Sequence, residues 1–223
     1  MIFIISYIVC YYFTKIFFAG ESYGLENYPK KGPFIIAINH NSSFDISSMA
    51  IGVRFIAHGM GKKELFEVPF LRWWLKKINV HPIIRHASDK EGFDKIINIL
   101  KNGGKVIIAP EGTRKWKNGI APRPKTGMVR LAQTVNCPIV PLGISGTRNI
   151  LPPGALLPRW SKIVVRVGTP IYLDSVEVIP QNYEILLQQA YEVMDRLYEL
   201  LPSWSRPEKR ELPLNRVPEK LAN

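Results

Sequence analysis

Strand-like and helix-like segments alternate along most of this chain, and that alternation restricts the fold more than any single motif does. PFIIAI (33–38) is a short apolar run, the pattern of a strand buried on both faces. SFDISSMAIGV (43–53) follows as a helix packed behind it, and RFIAHG (54–59) as the next strand. VHPII (80–84) predicts a further short strand. DKEGFDKIINILKN (89–102) places Phe93, Ile96, Ile97 and Leu100 at helical spacing, and Gly103-Gly104 stops it. KVIIA (105–109) then reads as a strand, GMVRLAQTV (127–135) as a helix, and PIVPLGI (138–144) and KIVVRVG (162–168) as strands. NYEILLQQAYEVMDRLYELL (182–201) is a long amphipathic helix. Elements in this order predict an α/β fold with a largely parallel central sheet flanked by helices. A chain of 223 residues without a compositional break holds one core. The expected division is an apolar segment at 1–20, one domain at 21–202, and a charged, proline-containing tail at 203–223 that reads as extended and weakly ordered.

Charge and the N-terminus narrow the class of partner. Thirty Lys and Arg against eighteen Asp and Glu leave a net charge of +12, which favours an anionic membrane, a nucleic acid or a phosphorylated substrate. MIFIISYIVCYYFTKIFFAG is apolar or aromatic apart from Ser6, Thr14 and Lys15, close to the roughly 20 residues that span a hydrocarbon core. A cleaved signal peptide needs a basic region before its apolar core, and here Ile2 follows the initiator directly. A buried helix is disfavoured because the run is apolar on every side and sits at a chain end. The expectation is a membrane-associating helix, spanning the bilayer or lying in its interface. In PFLRWWLKKI (69–78), Phe70, Trp73 and Trp74 interleave with Arg72, Lys76 and Lys77. That pattern fits an interfacial helix facing anionic headgroups, and equally a surface helix with an aromatic core face. Cys10 and Cys137 have no ligand-like spacing and are expected to be reduced thiols.

The polar cluster AINHNSSFD (37–45) stands where the first buried strand ends. On one continuous helix His40 and Asp45 would lie about 140° apart and could not pair. A strand-to-helix turn removes that obstacle: with Ser42 as N-cap, Asp45 falls at the third helical position and His40 can fold back over the first turn. The carboxylate then accepts the Nδ1 proton, fixes the tautomer and leaves Nε2 as a base. A competing reading makes Asp45 the acidic member of a capping box and His40 a strand-end histidine. Asn41-Ser42-Ser43 fits a glycosylation sequon only in a secreted segment, and no G-x-S-x-G elbow frames either serine as a nucleophile.

A second cluster, Pro110-Glu111-Gly112-Thr113-Arg114, follows KVIIA at the strand end where open α/β sheets bind ligands. Arg114 offers a forked donor for phosphate or carboxylate; a strand-to-turn loop with a surface ion pair is the alternative. GMGKKELFEVP (59–69) is a third loop after a strand. It fails the P-loop pattern, because Ile56 stands where the first glycine belongs and Lys63 follows the lysine. Lys62 is either a point charge for phosphate or a solvated lysine. The four histidines, at 40, 58, 81 and 86, show no zinc-ligand spacing, so no metal is expected.

Taken in order, these segments resemble the glycerophospholipid acyltransferases, the 1-acylglycerol-3-phosphate O-acyltransferase family. Asn39, His40 and Asp45 match its N-H-x4-D motif, Gly61 to Pro69 its G-K-x-E-L-x-x-x-P motif, residues 109–114 its F-P-E-G-T-R motif, and residues 140–144 its V-P-[VL]-x-I motif. Ala109 replaces the usual Phe, and Arg72 stands where a Gly often follows. The resemblance covers roughly residues 30–170. It implies acyl transfer from a thioester, acyl-CoA or an acylated acyl carrier protein, to the free hydroxyl of a lysophospholipid, with 1-acyl-sn-glycerol 3-phosphate the expected acceptor and no cofactor beyond the donor. His40 and Asp45 would be catalytic, transferring acyl directly in a ternary complex. Lys62, Arg85 and Arg114 would hold the phosphate, while Glu111, Gly112 and Thr113 shape the acceptor site. Backbone N–H groups near Gly112, or in the helix beginning at Ser43, are the candidate oxyanion donors. A different lysolipid or glycerol phosphate acceptor, or a non-catalytic membrane-surface module, are the other readings. A nucleic-acid binder would explain the charge, but no such motif is present. The expected location is a membrane surface carrying anionic lipids, with the catalytic domain on the cytoplasmic side.

Overall fold

The computed structural model describes residues 1–40, 42, 44–83, 90–112, 120–150 and 157–210. In chain order the elements are α1 (Ile2–Phe17), β1 (Glu21–Tyr23), β2 (Phe34–Ile38), α2 (Asp45–Gly52), β3 (His58–Lys62), α3 (Pro69–Lys77), β4 (Val80–Ile83), α4 (Lys90–Lys101), β5 (Lys105–Ile108), β6 (Ile120–Ala121), α5 (Gly127–Val135), β7 (Ile139–Ser145), α6 (Thr147–Ile150), β8 (Val164–Val167), α7 (Tyr183–Glu199) and β9 (Lys209–Arg210).

Seven strands form the main sheet in the order β1-β8-β7-β2-β5-β3-β4. The five from β7 to β4 run parallel; β8 reverses against β7, and β1 runs with β8. All five residues of β2 are buried, as expected of a central strand with helices on both faces. Its alternation sorts them: Phe34, Ile36 and Ile38 pack toward α2, while Ile35 and Ala37 face the layer built by α4, α5 and α7. Truncating one of these isoleucines to alanine removes about 2–5 kcal/mol. Helix α7 lies close on the sheet because Gly143 has no side chain: a Cβ there would stand 2.9 Å from the Leu200 Cβ.

Three expectations change. The strand placed at 54–59 is found at His58–Lys62, so Gly59 to Lys62 are strand and the loop begins at Lys63. Phe55 is instead set edge-on to the rings of Tyr28 and Phe34, at 4.9 and 5.5 Å, in an irregular segment that bends at this residue. The N-terminal run forms a helix of 16 residues, and no described helix is long and apolar enough to cross a membrane. One side of α1 packs on α2: Thr14 is fully buried and its hydroxyl donates to the Ser47 carbonyl at 3.3 Å. Its other side exposes Ile4, Ile8, Val9, Ile16 and Phe17. Finally, the tail makes a short turn at 203–205, and its residues Lys209–Arg210 pair with β6.

Candidate active site

Parallel pairing brings the two polar clusters to one edge. Ala37 lies opposite Ile108 in the β2–β5 ladder, so His40 and Glu111 both emerge at the carboxyl ends of adjacent central strands. Asn39, fully buried, fixes the departure of β2. Its amide donates to the Ile144 carbonyl at 2.8 Å and accepts from the Ile144 N–H at 2.7 Å. The side chain thereby takes the place of the next backbone rung toward β7.

His40 Nδ1 and Asp45 Oδ2 are 2.9 Å apart. Asp45 is completely buried, whereas the His40 side chain keeps 21% of its surface exposed. The sequence places Ser42 as N-cap; here Phe44 caps α2, and Asp45 is the first helical residue. Its carboxylate still reaches back, because the same Oδ2 accepts the Ser42 N–H at 2.8 Å. The capping contact and the histidine contact therefore coexist on one oxygen rather than competing. Ser42 Oγ accepts the Phe44 N–H at 3.3 Å, which tightens the turn. A carboxylate facing Nδ1 favours the tautomer with the ring proton on Nδ1, an arrangement that leaves the Nε2 lone pair available.

On the neighbouring strand Glu111 is only 2% exposed, and the Tyr198 hydroxyl donates to its Oε1 at 3.1 Å. Gly112 follows with φ +64°, a conformation that favours glycine, and its N–H donates to the Ala109 carbonyl at 3.1 Å. That amide is thus engaged within the turn, which removes it as an oxyanion donor. The Lys125 N–H donates to the Pro110 carbonyl at 2.8 Å and closes the turn from the other side. Continuing the β3–β5 register from Gly59 opposite Ile107 puts Lys62 level with Pro110, at the same edge and about 10 Å from β2 across two strand spacings. The structure thus gathers His40, Asp45, Glu111, Gly112 and Lys62 along one edge, with Lys62 outermost and exposed. Arg85, Thr113 and Arg114 lie outside the described residues.

Two features had no signal in the linear sequence. Tyr198 reaches Glu111 across 87 positions, a contact that no motif encodes. His58 Nδ1 and His81 Nε2 lie 3.0 Å apart on adjacent strands with their rings stacked. Burial first, and Lys95 second, push both histidines below the usual imidazole range, His81 to about 4. Among the described residues no three His, Cys, Asp or Glu side chains group as metal ligands. Both cysteines are free thiols, and burial pushes the Cys137 thiol up to about 11, which makes it inert.

Comparison with known proteins gives this edge a family. The acyltransferase family model matches residues 20–145, more than half of the chain. A 1-acyl-sn-glycerol-3-phosphate acyltransferase of Bacillus subtilis (strain 168) is 31% identical over 185 residues, 80% of this chain and 89% of that protein. The Saccharomyces cerevisiae protein of the same name is 30% identical over 178 residues, 75% of this chain but 57% of its own longer one. The crystal structure of the 1-acyl-sn-glycerophosphate (LPA) acyltransferase PlsC from Thermotoga maritima superposes with a TM-score of 0.66 at 26% identity, covering 87% of this chain and 80% of that one. With Asn39-His40 and Pro110-Glu111-Gly112 leaving neighbouring strands of the same architecture, the chain belongs to the acyltransferase family, among the glycerophospholipid O-acyltransferases.

Proposed function

We propose that this protein transfers an acyl group from a thioester, on coenzyme A or acyl carrier protein, to the free hydroxyl of 1-acyl-sn-glycerol 3-phosphate, forming phosphatidic acid. The observation that carries the reading is the His40–Asp45 pair at 2.9 Å, on the strand edge it shares with Glu111. His40 Nε2 takes the hydroxyl proton as that oxygen attacks the thioester carbonyl, and Asp45 stabilises the imidazolium that forms. Collapse of the tetrahedral intermediate breaks the C–S bond, and the imidazolium returns its proton to the departing thiolate. Arg114, Arg85 and Lys62 supply cationic donors for the acceptor phosphate, while Glu111, Gly112 and Thr113 shape the acceptor site. No cofactor beyond the acyl donor enters these steps.

The reaction takes place at a membrane surface, with residues 1–20 as the associating segment, 21–202 as the catalytic domain and 203–223 as the tail. Helix α1 lies in the interface with Ile4, Ile8 and Phe17 exposed, and α3 adds the exposed Phe70 and Trp73; the Trp74 indole N–H, donating to Ser6 Oγ at 3.1 Å, joins the two helices. Arg72, Lys76 and Lys77 beside them suit anionic headgroups. Lys30, Lys31, Lys62 and Lys63 favour the cytoplasmic side. The test is thioester-dependent acylation of a lysolipid panel by purified wild type and His40→Ala. Expected is turnover with lysophosphatidate that disappears in a folded His40→Ala protein; near wild-type turnover in that variant would sink the mechanism.

A further inference from the structure

The stretch that opens with Glu111 and Gly112 ends at β6, and both of its ends are held by the C-terminal part of the chain. At the first end stands Tyr198, whose hydroxyl donates to the buried Glu111 carboxylate. Tyr198 sits in the last turn of α7, and that helix is immobilised on the sheet by Leu187, Ala190, Val193, Met194 and Leu197, each 2% exposed or less. At the second end, Ile120 and Ala121 pair in parallel with Lys209 and Arg210. A two-residue parallel pairing is weak alone, so the course of the chain leading to it matters. Arg206 fixes that course: its Nε–H donates to the Leu201 carbonyl at 2.7 Å and its Nη2 to the Glu199 carbonyl at 3.0 Å, turning the tail back against the end of α7.

We propose that Tyr198 is a positioning residue for acceptor binding, and that the segment from Tyr198 to Arg210 braces both ends of the acceptor-shaping stretch. The proposal rests on the function proposed above, because it assigns Glu111 to the acceptor side. A carboxylate at 2% exposure has almost no water to orient it, so a protein donor sets its direction. The phenol is also a charge-assisted donor, stronger than a neutral one. The tail up to Arg210, which from composition alone reads as extended and weakly ordered, thereby belongs to the working structure.

Two full-length variants test this: Tyr198→Phe, which removes only the hydroxyl, and Lys209→Pro with Arg210→Pro, which disrupts the backbone pairing of the tail with β6. Acceptor KM, donor KM, kcat and melting temperature are measured, together with amide hydrogen exchange in the peptide spanning 111–121. Both variants should raise acceptor KM about three- to tenfold while kcat and donor KM stay within about twofold. Exchange in that peptide should quicken while β2 and α7 exchange as in wild type. Unchanged acceptor KM and exchange in both variants overturn the brace. A parallel rise of both KM terms with a fall of kcat and melting temperature in both overturns the positioning role in favour of plain packing. If wild type fails to acylate lysophosphatidate yet exchange still quickens, the function proposed above fails and the brace stands.

Discussion

Replacing Asp45 by Asn isolates the charge of the proposed base pair from its geometry. Two donors, His40 Nδ1–H and the Ser42 N–H, converge on Oδ2 at 2.9 and 2.8 Å. An asparagine amide satisfies both only by presenting its carbonyl oxygen, so the orientation and the histidine tautomer are retained. What disappears is the negative charge opposite the imidazolium. With the charge centres about 4 Å apart and an effective dielectric of about 20, that attraction amounts to about 4 kcal/mol. Since the proton is only partly transferred in the transition state, between half and all of it is felt, a fall in kcat of about 30- to 1000-fold. Stability changes little, within about 1 kcal/mol, because the turn keeps its hydrogen bonds. Asp45→Ala removes them and leaves the buried Ser42 N–H without its acceptor, costing about 1–3 kcal/mol and lowering the melting temperature by several degrees. Release of free thiol from the acyl donor under saturating conditions gives kcat, and thermal melts in the same detergent give stability. A folded Asp45→Asn enzyme with kcat within threefold of wild type would refute the reasoning and leave Asp45 as a cap alone.

Three further outcomes follow from the remaining features. Arg114→Ala should lower kcat/KM for a phosphorylated acceptor about ten- to a hundredfold through acceptor KM, with donor KM unmoved; equal loss with a zwitterionic lysolipid would remove the phosphate role. Replacing the exposed Phe70 and Trp73 by serine should weaken binding to anionic vesicles by more than about tenfold without shifting the melting temperature, each side chain carrying about 1.5–3 kcal/mol of buried apolar surface; unchanged sedimentation with vesicles would contradict the docking face. His81 titrates near 4 in the folded protein but at about 6.5 once unfolded, so the unfolded state binds the extra proton between those values. Stability is therefore full above about 6.5 and falls as pH drops toward 4, and His81→Gln should flatten the decline in melting temperature between pH 7 and 5.

The segments with clean periodicity were legible in the sequence. GMVRLAQTV spans α5 at 127–135, and the Phe93, Ile96, Ile97 and Leu100 spacing marks the face of α4 turned to the core. β3 was displaced because Gly-Met-Gly has little strand propensity of its own; it is a strand by virtue of the ladders to β4 and β5 on either side. The more apolar Phe55 and Ile56 drew the assignment upstream. β9 was hidden by a charged, proline-containing composition, since backbone pairing at Lys209–Arg210 leaves no hydrophobic signature. At the site, His40 and Asp45 could be paired from their positions around a strand-to-helix turn, whereas one oxygen serving both His40 and Ser42 depends on coordinates no spacing rule contains. Tyr198 and the His58–His81 pair are tertiary juxtapositions and had no linear trace.

Asn39 ties the timing of inactivation to the timing of melting. Because its amide completes the rung to Ile144, the turn that carries His40, the proposed base, hangs from the most interior strand of the sheet rather than from a peripheral loop. Local opening that frees a loop cannot release His40 while β2 and β7 stay paired, and those strands open only with the core. Heat should therefore find no folded but catalytically slack intermediate, and the half-life of activity becomes a direct clock for global unfolding.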